Sequence, residues 1–100
     1  MRKIVLFCNA GMSTSLLVNK MKEAAAKEGY EVEIEAHALS EVDKYGAEAD
    51  IVLLGPQVRF NQGKVKAQLP NTPVEVIDIA AYGTMNGKSV IDKVKKVLND

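Results

Sequence analysis

The chain has 100 residues, 13 basic and 13 acidic side chains, a formal net charge of zero and one cysteine. That length suits one compact unit over residues 1–100 with its own core, and the balanced charge gives no overall pull toward nucleic acid or anionic lipid. A lone cysteine closes no intrachain disulfide and fits a reducing, cytoplasmic setting; the apolar run near the start is too short for a signal h-region, and no stretch is long enough to span a bilayer.

Ile4 to Phe7 is a continuous apolar run, rich in β-branched and aromatic residues, and predicts a strand covered on both faces as in a parallel sheet. Cys8 ends it. Asn9 to Ser15 changes to small and hydroxylated residues; Gly11 is free for positive φ or close backbone approach, and Ser13, Thr14 and Ser15 are competent caps for the helix that follows. In that helix Leu17, Met21, Ala24 and Ala25 share an inward stripe, Glu23 and Lys27 form an i,i+4 pair, and Gly29 supplies the stop. Tyr30 to Ala38 alternates Val32, Ile34 and Ala36 with Glu31, Glu33 and Glu35, the pattern of an edge strand with an acidic face.

Leu39 to Ala47, with Ser40 as cap and Val42 and Tyr45 as apolar points, predicts a short helix ending near Gly46. Asp50 to Leu54 is a second buried run and stops at Gly55-Pro56. Gln57 to Leu69 sets Val58, Val65 and Leu69 at rough helical spacing and ends before Pro70. Thr72 to Ile77 predicts the fourth strand, Asp78 to Gly87 a loop, and Lys88 to Leu98 an amphipathic helix with Val90, Ile91, Val94, Val97 and Leu98 inward.

This alternation is an α/β pattern: a single open four-stranded parallel sheet, order 2-1-3-4, with right-handed crossovers and helices on both faces. The two most apolar strands, first and third, take the centre. Ligands bind such sheets at the carboxyl ends of strands where the winding direction reverses, here between strands one and three. That crevice receives the Cys8 loop and Gly55-Pro56-Gln57, with Asp78, Tyr82 and Gly83 flanking it.

A cysteine leading from a buried strand into a helix N-terminus faces unpaired N–H groups and the positive end of the helix dipole, which makes an anion site and favours a nucleophilic thiolate. The plainer alternative is a small buried hydrophobe beside a well-capped turn. No Walker or dinucleotide fingerprint is present, and His37 and Cys8 stand apart on the predicted fold, so neither cofactor nor metal is expected. His37 reads as a structural residue. Asp78 is either a general acid reaching the Cys8 loop or a turn former. Tyr82, Met12, Val58, Phe60 and Met85 either expose a partner-facing apolar rim or belong to the core. Phosphatases of the low-molecular-weight tyrosine phosphatase kind share this strand, loop and helix but clamp the phosphate with an arginine at the position that Thr14 occupies here. Without it, backbone N–H groups of Ala10 to Ser15, supplemented by the Ser13, Thr14 and Ser15 hydroxyls, would hold a cysteinyl phosphate less rigidly.

FCNAGMSTSLLVNKM, the VLLGPQ turn, the PVEVID strand and the later YG resemble, over essentially the whole chain, the IIB component of the lactose/cellobiose/chitobiose branch of the bacterial sugar phosphotransferase system. The resemblance implies a phosphotransferase with a low-molecular-weight tyrosine phosphatase-like fold. Cys8 would accept a phosphoryl group from a histidine of a IIA protein and pass it to a β-linked disaccharide at the membrane IIC component. Asn9, Ala10, Gly11, Met12, Ser13, Thr14 and Ser15 would form the phosphate-binding loop, with Gln57, Asp78 and Tyr82 nearby or on a partner surface. It implies a cytoplasmic protein without cofactor, nucleic-acid partner or membrane insertion of its own. A small cysteine phosphatase or arsenate-reductase-like hydrolase, disfavoured by the missing arginine, and a binding module with an inert Cys8 are the alternatives.

Overall fold

The computed structural model describes residues 1–9 and 11–100, with only the helical course given for residues 11–13. Strand β1, Arg2–Cys8, holds Ile4, Val5, Leu6 and Phe7 entirely away from solvent. Such burial on both faces requires a neighbour strand on each side and a layer above and below. Parallel pairing supplies the neighbours: β1 lies between β2 (Val32–Ala38) and β3 (Ile51–Leu54), with β4 (Val74–Val76) beyond β3, giving the order β2-β1-β3-β4. Ile4 sits opposite Ile34 and Ile51, and Phe7 opposite His37 and Leu54. The predicted strand order is the one observed.

The alternation of β1 side chains divides the core in two. On one face Ile4 and Leu6, with Ile51 and Leu53, pack under α1 (Gly11–Lys27) and the last helix through Leu17, Met21, Ala25, Val90, Ile91 and Val94. On the other, Val5, Phe7, Val52 and Leu54 are covered by Val42 of α2 (Val42–Tyr45), by Val58, and by Val65 of α3 (Gln62–Gln68) with Leu69 beyond its end. α4 (Ile79–Gly83) and α5 (Gly87–Leu98) complete the chain. α5 lies tight on α1 because Gly87 has no side chain: a Cβ there would come within 2.3 Å of the Lys20 carbonyl carbon.

Several boundaries differ from the sequence reading. α1 begins at Gly11, so Ser13, Thr14 and Ser15 lie in its first turns instead of preceding it. Residues 39–48 form a broken turn of helix, 3₁₀ at Leu39–Glu41 and Gly46–Glu48 with α2 between, and Ala38 rather than Ser40 stands at the first cap position. Pro56–Asn61 is likewise 3₁₀, with a non-helical backbone at Val58, before α3 starts. The predicted loop after β4 contains α4. Glu23 meets Lys20 at 3.8 Å, rather than the predicted Lys27. Val97 is on the flank of the α5 stripe, 37% exposed beside Lys93 and Lys96, while Leu98 packs against the core.

At the amino ends of the strands the chain closes on itself. Arg2 Nε and Nη2 donate to Asp100 Oδ2 and Oδ1 at 2.9 and 2.8 Å, and the Tyr30 hydroxyl donates to the same carboxylate. The bond from Arg2, then that from Tyr30, holds the Asp100 carboxyl down to about 2. Burial and the Asp100 carboxylate push Tyr30 up to about 12. A carboxyl depressed on folding stabilises the fold above its unfolded value and loses that contribution as it is protonated. The melting-temperature gap between the protein and Asp100→Asn should therefore be widest near neutral pH and close as pH falls through 3.8 toward about 2. Thermal melts at pH 7, 4 and 2 check this, and added salt should narrow the neutral-pH gap because the clasp is solvent-accessible.

Candidate functional site

Parallel strands deliver all their carboxyl ends to one edge of the sheet, and β1, in the interior, delivers Cys8 there. Cys8 is only 2% exposed, is paired in register with Ala38 of β2, and stands just before the start of α1. β3 ends beside it. The Gly55 N–H donates to the Phe7 carbonyl at 3.0 Å, and a Cβ on Gly55 would lie 3.3 Å from Cys8 Cβ and 2.6 Å from Gln57 Oε1. Gly55 thus lets the end of β3 approach Cys8 and receives the Gln57 carboxamide against it, as the placement of Gly55-Pro56-Gln57 in the crevice predicted.

Thr14 Oγ1 lies 2.7 Å from Cys8 Sγ. It is 1% exposed and, among the described residues, the one polar side chain buried with the core. A buried hydroxyl without a partner would be costly, and the sulfur supplies one. When Cys8 is a thiolate, which only accepts, the threonine O–H is the donor. Position 14, where an arginine would mark the phosphatase alternative, is therefore filled by a neutral, β-branched side chain bonded to the Cys8 sulfur.

The other predicted site residues separate. Asp78 Oδ2 accepts the Ala81 N–H at 3.2 Å and caps α4, so of its two readings the turn-forming one describes its bonds. Tyr82 is half-buried against the α1/α5 core. Asn9 is exposed and lines a cleft of about 390 Å³ with Leu39, Ser40, Asn61 and Lys64. Ser15 is exposed on α1. Gly11 opens α1, while Ala10 and the side chains of Met12 and Ser13 lie outside the described residues. Of the apolar rim, Val58 is buried and Met85 packs on the core, whereas Phe60 is 83% exposed with the Arg59 guanidinium 4.4 Å from its ring centre. Leu16 and Ile79, which the sequence reading missed, are exposed too. They follow β1 and β4, as Phe60 follows β3, at the same end of the sheet as Cys8. The signal for Leu16 was available: Leu16, Leu17 and Val18 in succession cannot all face one side of a helix.

His37 is held structurally. Its ring stacks on Tyr45 with centroids 3.6 Å apart, and Nε2 is 2.9 Å from Glu35 Oε1. That bond, against the opposing effect of burial and with help from the Lys3 charge, keeps the Glu35 carboxyl below its ordinary value. Among the described residues no group of His, Cys, Asp and Glu side chains could hold a metal ion, and no helix is long and apolar enough to cross a membrane.

The profile of the lactose/cellobiose-specific IIB subunit of the phosphotransferase system matches residues 3–93. The chain belongs to this family. As a IIB component it is a phosphotransferase that carries phosphate toward sugar, and IIB components of this system work with IIA and IIC partners. It is 43% identical to the galactose-specific EIIB component of Lactococcus lactis subsp. cremoris (strain MG1363) over 96% of this chain and 95% of that one. The cellobiose-specific EIIB component of Lactococcus lactis subsp. lactis (strain IL1403) gives the same figures. The oligo-beta-mannoside-specific EIIB component of Bacillus subtilis (strain 168) is 42% identical, with 98% and 97% covered. Among solved structures, the cellobiose-specific IIB component of Borrelia burgdorferi superposes with a TM-score of 0.80 at 37% identity, covering 98% of this chain and 92% of that one. The lactose-specific IIB domain of Streptococcus pneumoniae superposes at 0.83 with 17% identity, covering 95% of each, which supports the fold alone. The fold is the low-molecular-weight tyrosine phosphatase-like one.

The capping geometry gives Asp78 a testable signature. Asp78→Ala should lower stability by about 0.5–2 kcal/mol, the ordinary cost of a lost cap, and leave the alkylation rate of Cys8 unchanged. Urea unfolding and iodoacetamide kinetics on the same protein check both halves; a fall in thiol reactivity would return Asp78 to the reacting centre.

Proposed function

We propose that this IIB component carries its phosphoryl group on Cys8, taking it from a phosphohistidine of a IIA protein and giving it to a β-linked disaccharide of the cellobiose, chitobiose or lactose type at the membrane IIC component. The observation that carries the reading is the placement of Cys8: a buried nucleophile at the carboxyl end of an interior strand, immediately before a helix N-terminus and bonded by a hydroxyl. In the first step the Cys8 thiolate attacks phosphorus in line. The S–P bond forms, the P–N bond breaks, and the electron pair returns to the imidazole nitrogen. In the second, a sugar hydroxyl attacks phosphorus, its proton passes to solvent or a base of the membrane component, and the P–S electron pair restores the thiolate.

The cradle in this reading is the loop, Asn9 to Ser15, whose N–H groups from Ala10 onward would bind the transferred oxygens, helped by the positive end of α1. Gln57, held over Gly55 next to Cys8, is the side chain from β3 best placed to join it. The 100 residues act as one unit in the cytoplasm, without cofactor, nucleic acid or membrane insertion of their own. Leu16, Phe60 and Ile79, exposed around the carboxyl edge, form the surface on which the donor protein closes.

With a phosphohistidine donor protein, mass spectrometry should find one phosphoryl group on the chain, located at Cys8 and absent from Cys8→Ser. After donor removal the phosphoryl should persist until sugar and the membrane component are supplied. Rapid release of inorganic phosphate without sugar, with turnover of free aryl phosphates, would replace the carrier with a phosphatase. Phe60→Asp should raise the KM for the donor protein about tenfold, the effect of losing an interface anchor, with Cys8 alkylation unchanged; an unaltered KM would move the docking surface elsewhere.

A further inference from the structure

We infer that Thr14 is the positioning residue of the nucleophile: its hydroxyl, not its bulk, holds Cys8 Sγ in the attacking position and stabilises the thiolate. The inference rests on the carrier reading of Cys8 but is tested without it. Three observations support it. Oγ1 is 2.7 Å from Sγ. Both atoms belong to residues buried to within 2% of full enclosure, so water competes weakly for the bond. Thr14 is the one polar residue buried with the core among those described, and a hydroxyl is retained there although the isosteric valine would pack without any need for a partner.

The chemistry follows from donor and acceptor counts. A threonine hydroxyl has one hydrogen and two lone pairs, whereas a thiolate only accepts. The O–H therefore points at sulfur in the reactive form, and a hydrogen bond to an ionised acceptor is stronger than one between neutral groups. The β-branch limits χ1 to few rotamers, and in the one adopted the hydroxyl reaches Cys8 Sγ. Thr14 thereby bonds the sulfur through a neutral group.

Thr14→Val keeps the shape and removes the hydroxyl; Thr14→Ser keeps the hydroxyl and removes a methyl group. If the hydroxyl acts on sulfur, Thr14→Val should alkylate at Cys8 about fivefold more slowly at neutral pH, the thiolate lost being partly offset by higher intrinsic nucleophilicity. Thr14→Ser should recover most of that rate, although its thermal midpoint should be the lower of the two. A packing role predicts the opposite order, with Thr14→Val like the parent and Thr14→Ser impaired, and that order would overturn the inference. Should Thr14→Val fail to fold, Thr14→Ser against Thr14→Ala carries the same contrast, and equal rates there would overturn it too. Alkylation needs no donor protein, sugar or membrane component, so failure of the carrier reading would appear separately, as an unmodified parent chain in the donor experiment.

Discussion

The burial of β1 on both faces is the constraint on which the rest of the molecule depends. Ile4, Val5, Leu6 and Phe7 expose nothing, and hiding each such side chain is worth about 1.5–3 kcal/mol. That gain requires two layers, so α1 and α5 must lie on one side of the sheet and α2 and α3 on the other. Strands joined by crossovers in this way are parallel, and every carboxyl end arrives at one edge. Cys8 and Gly55 meet there as a consequence of the core's geometry. The opposite edge is closed by the Arg2, Tyr30 and Asp100 clasp.

Within that apolar frame the Cys8 sulfur meets the buried Thr14 hydroxyl. A guanidinium at position 14 would be a charge in a place now 1% exposed, stable there only with a permanent counter-ion. A neutral threonine can remain in place whether the sulfur is bare or substituted, which suits a phosphotransferase that must both take up and surrender its group. At Gly55 the missing side chain lets the β3 turn lie against Cys8 and leaves room for the Gln57 carboxamide.

Much of this was legible in the residues. The apolar runs Ile4–Phe7 and Ile51–Leu54, the acidic alternation of β2 and the stripe Val90, Ile91, Val94 are patterns with one period each, and the observed sheet follows from them. Segments with sparse apolar points were less legible: residues 39–48 and 56–61 became broken or 3₁₀ turns, holding Leu39, Val42, Tyr45 and Val58 against the core without a continuous helical stripe. Val97 turned outward because at the end of α5 the core is already filled by Val94 and Leu98. Asp78 has two equally good readings in the sequence, and the structure adds the capping bond to the Ala81 N–H.

The sequence by itself determined the strand order, the position of Cys8 at the head of a helix and the family, because periodicity and a contiguous motif are properties of neighbours along the chain. The tertiary structure alone decided that the Thr14 hydroxyl reaches the sulfur, that Gly55 comes within reach of Cys8, and that Leu16, Phe60 and Ile79 face outward at one edge. Those are relations between residues brought together by the crossovers. The stripe of Leu17 and Met21 orients α1 on Ile4 and Leu6 and so turns Thr14, one turn before Leu17, toward the sheet, but only the packed crossover shows that its hydroxyl comes within bonding distance of the sulfur.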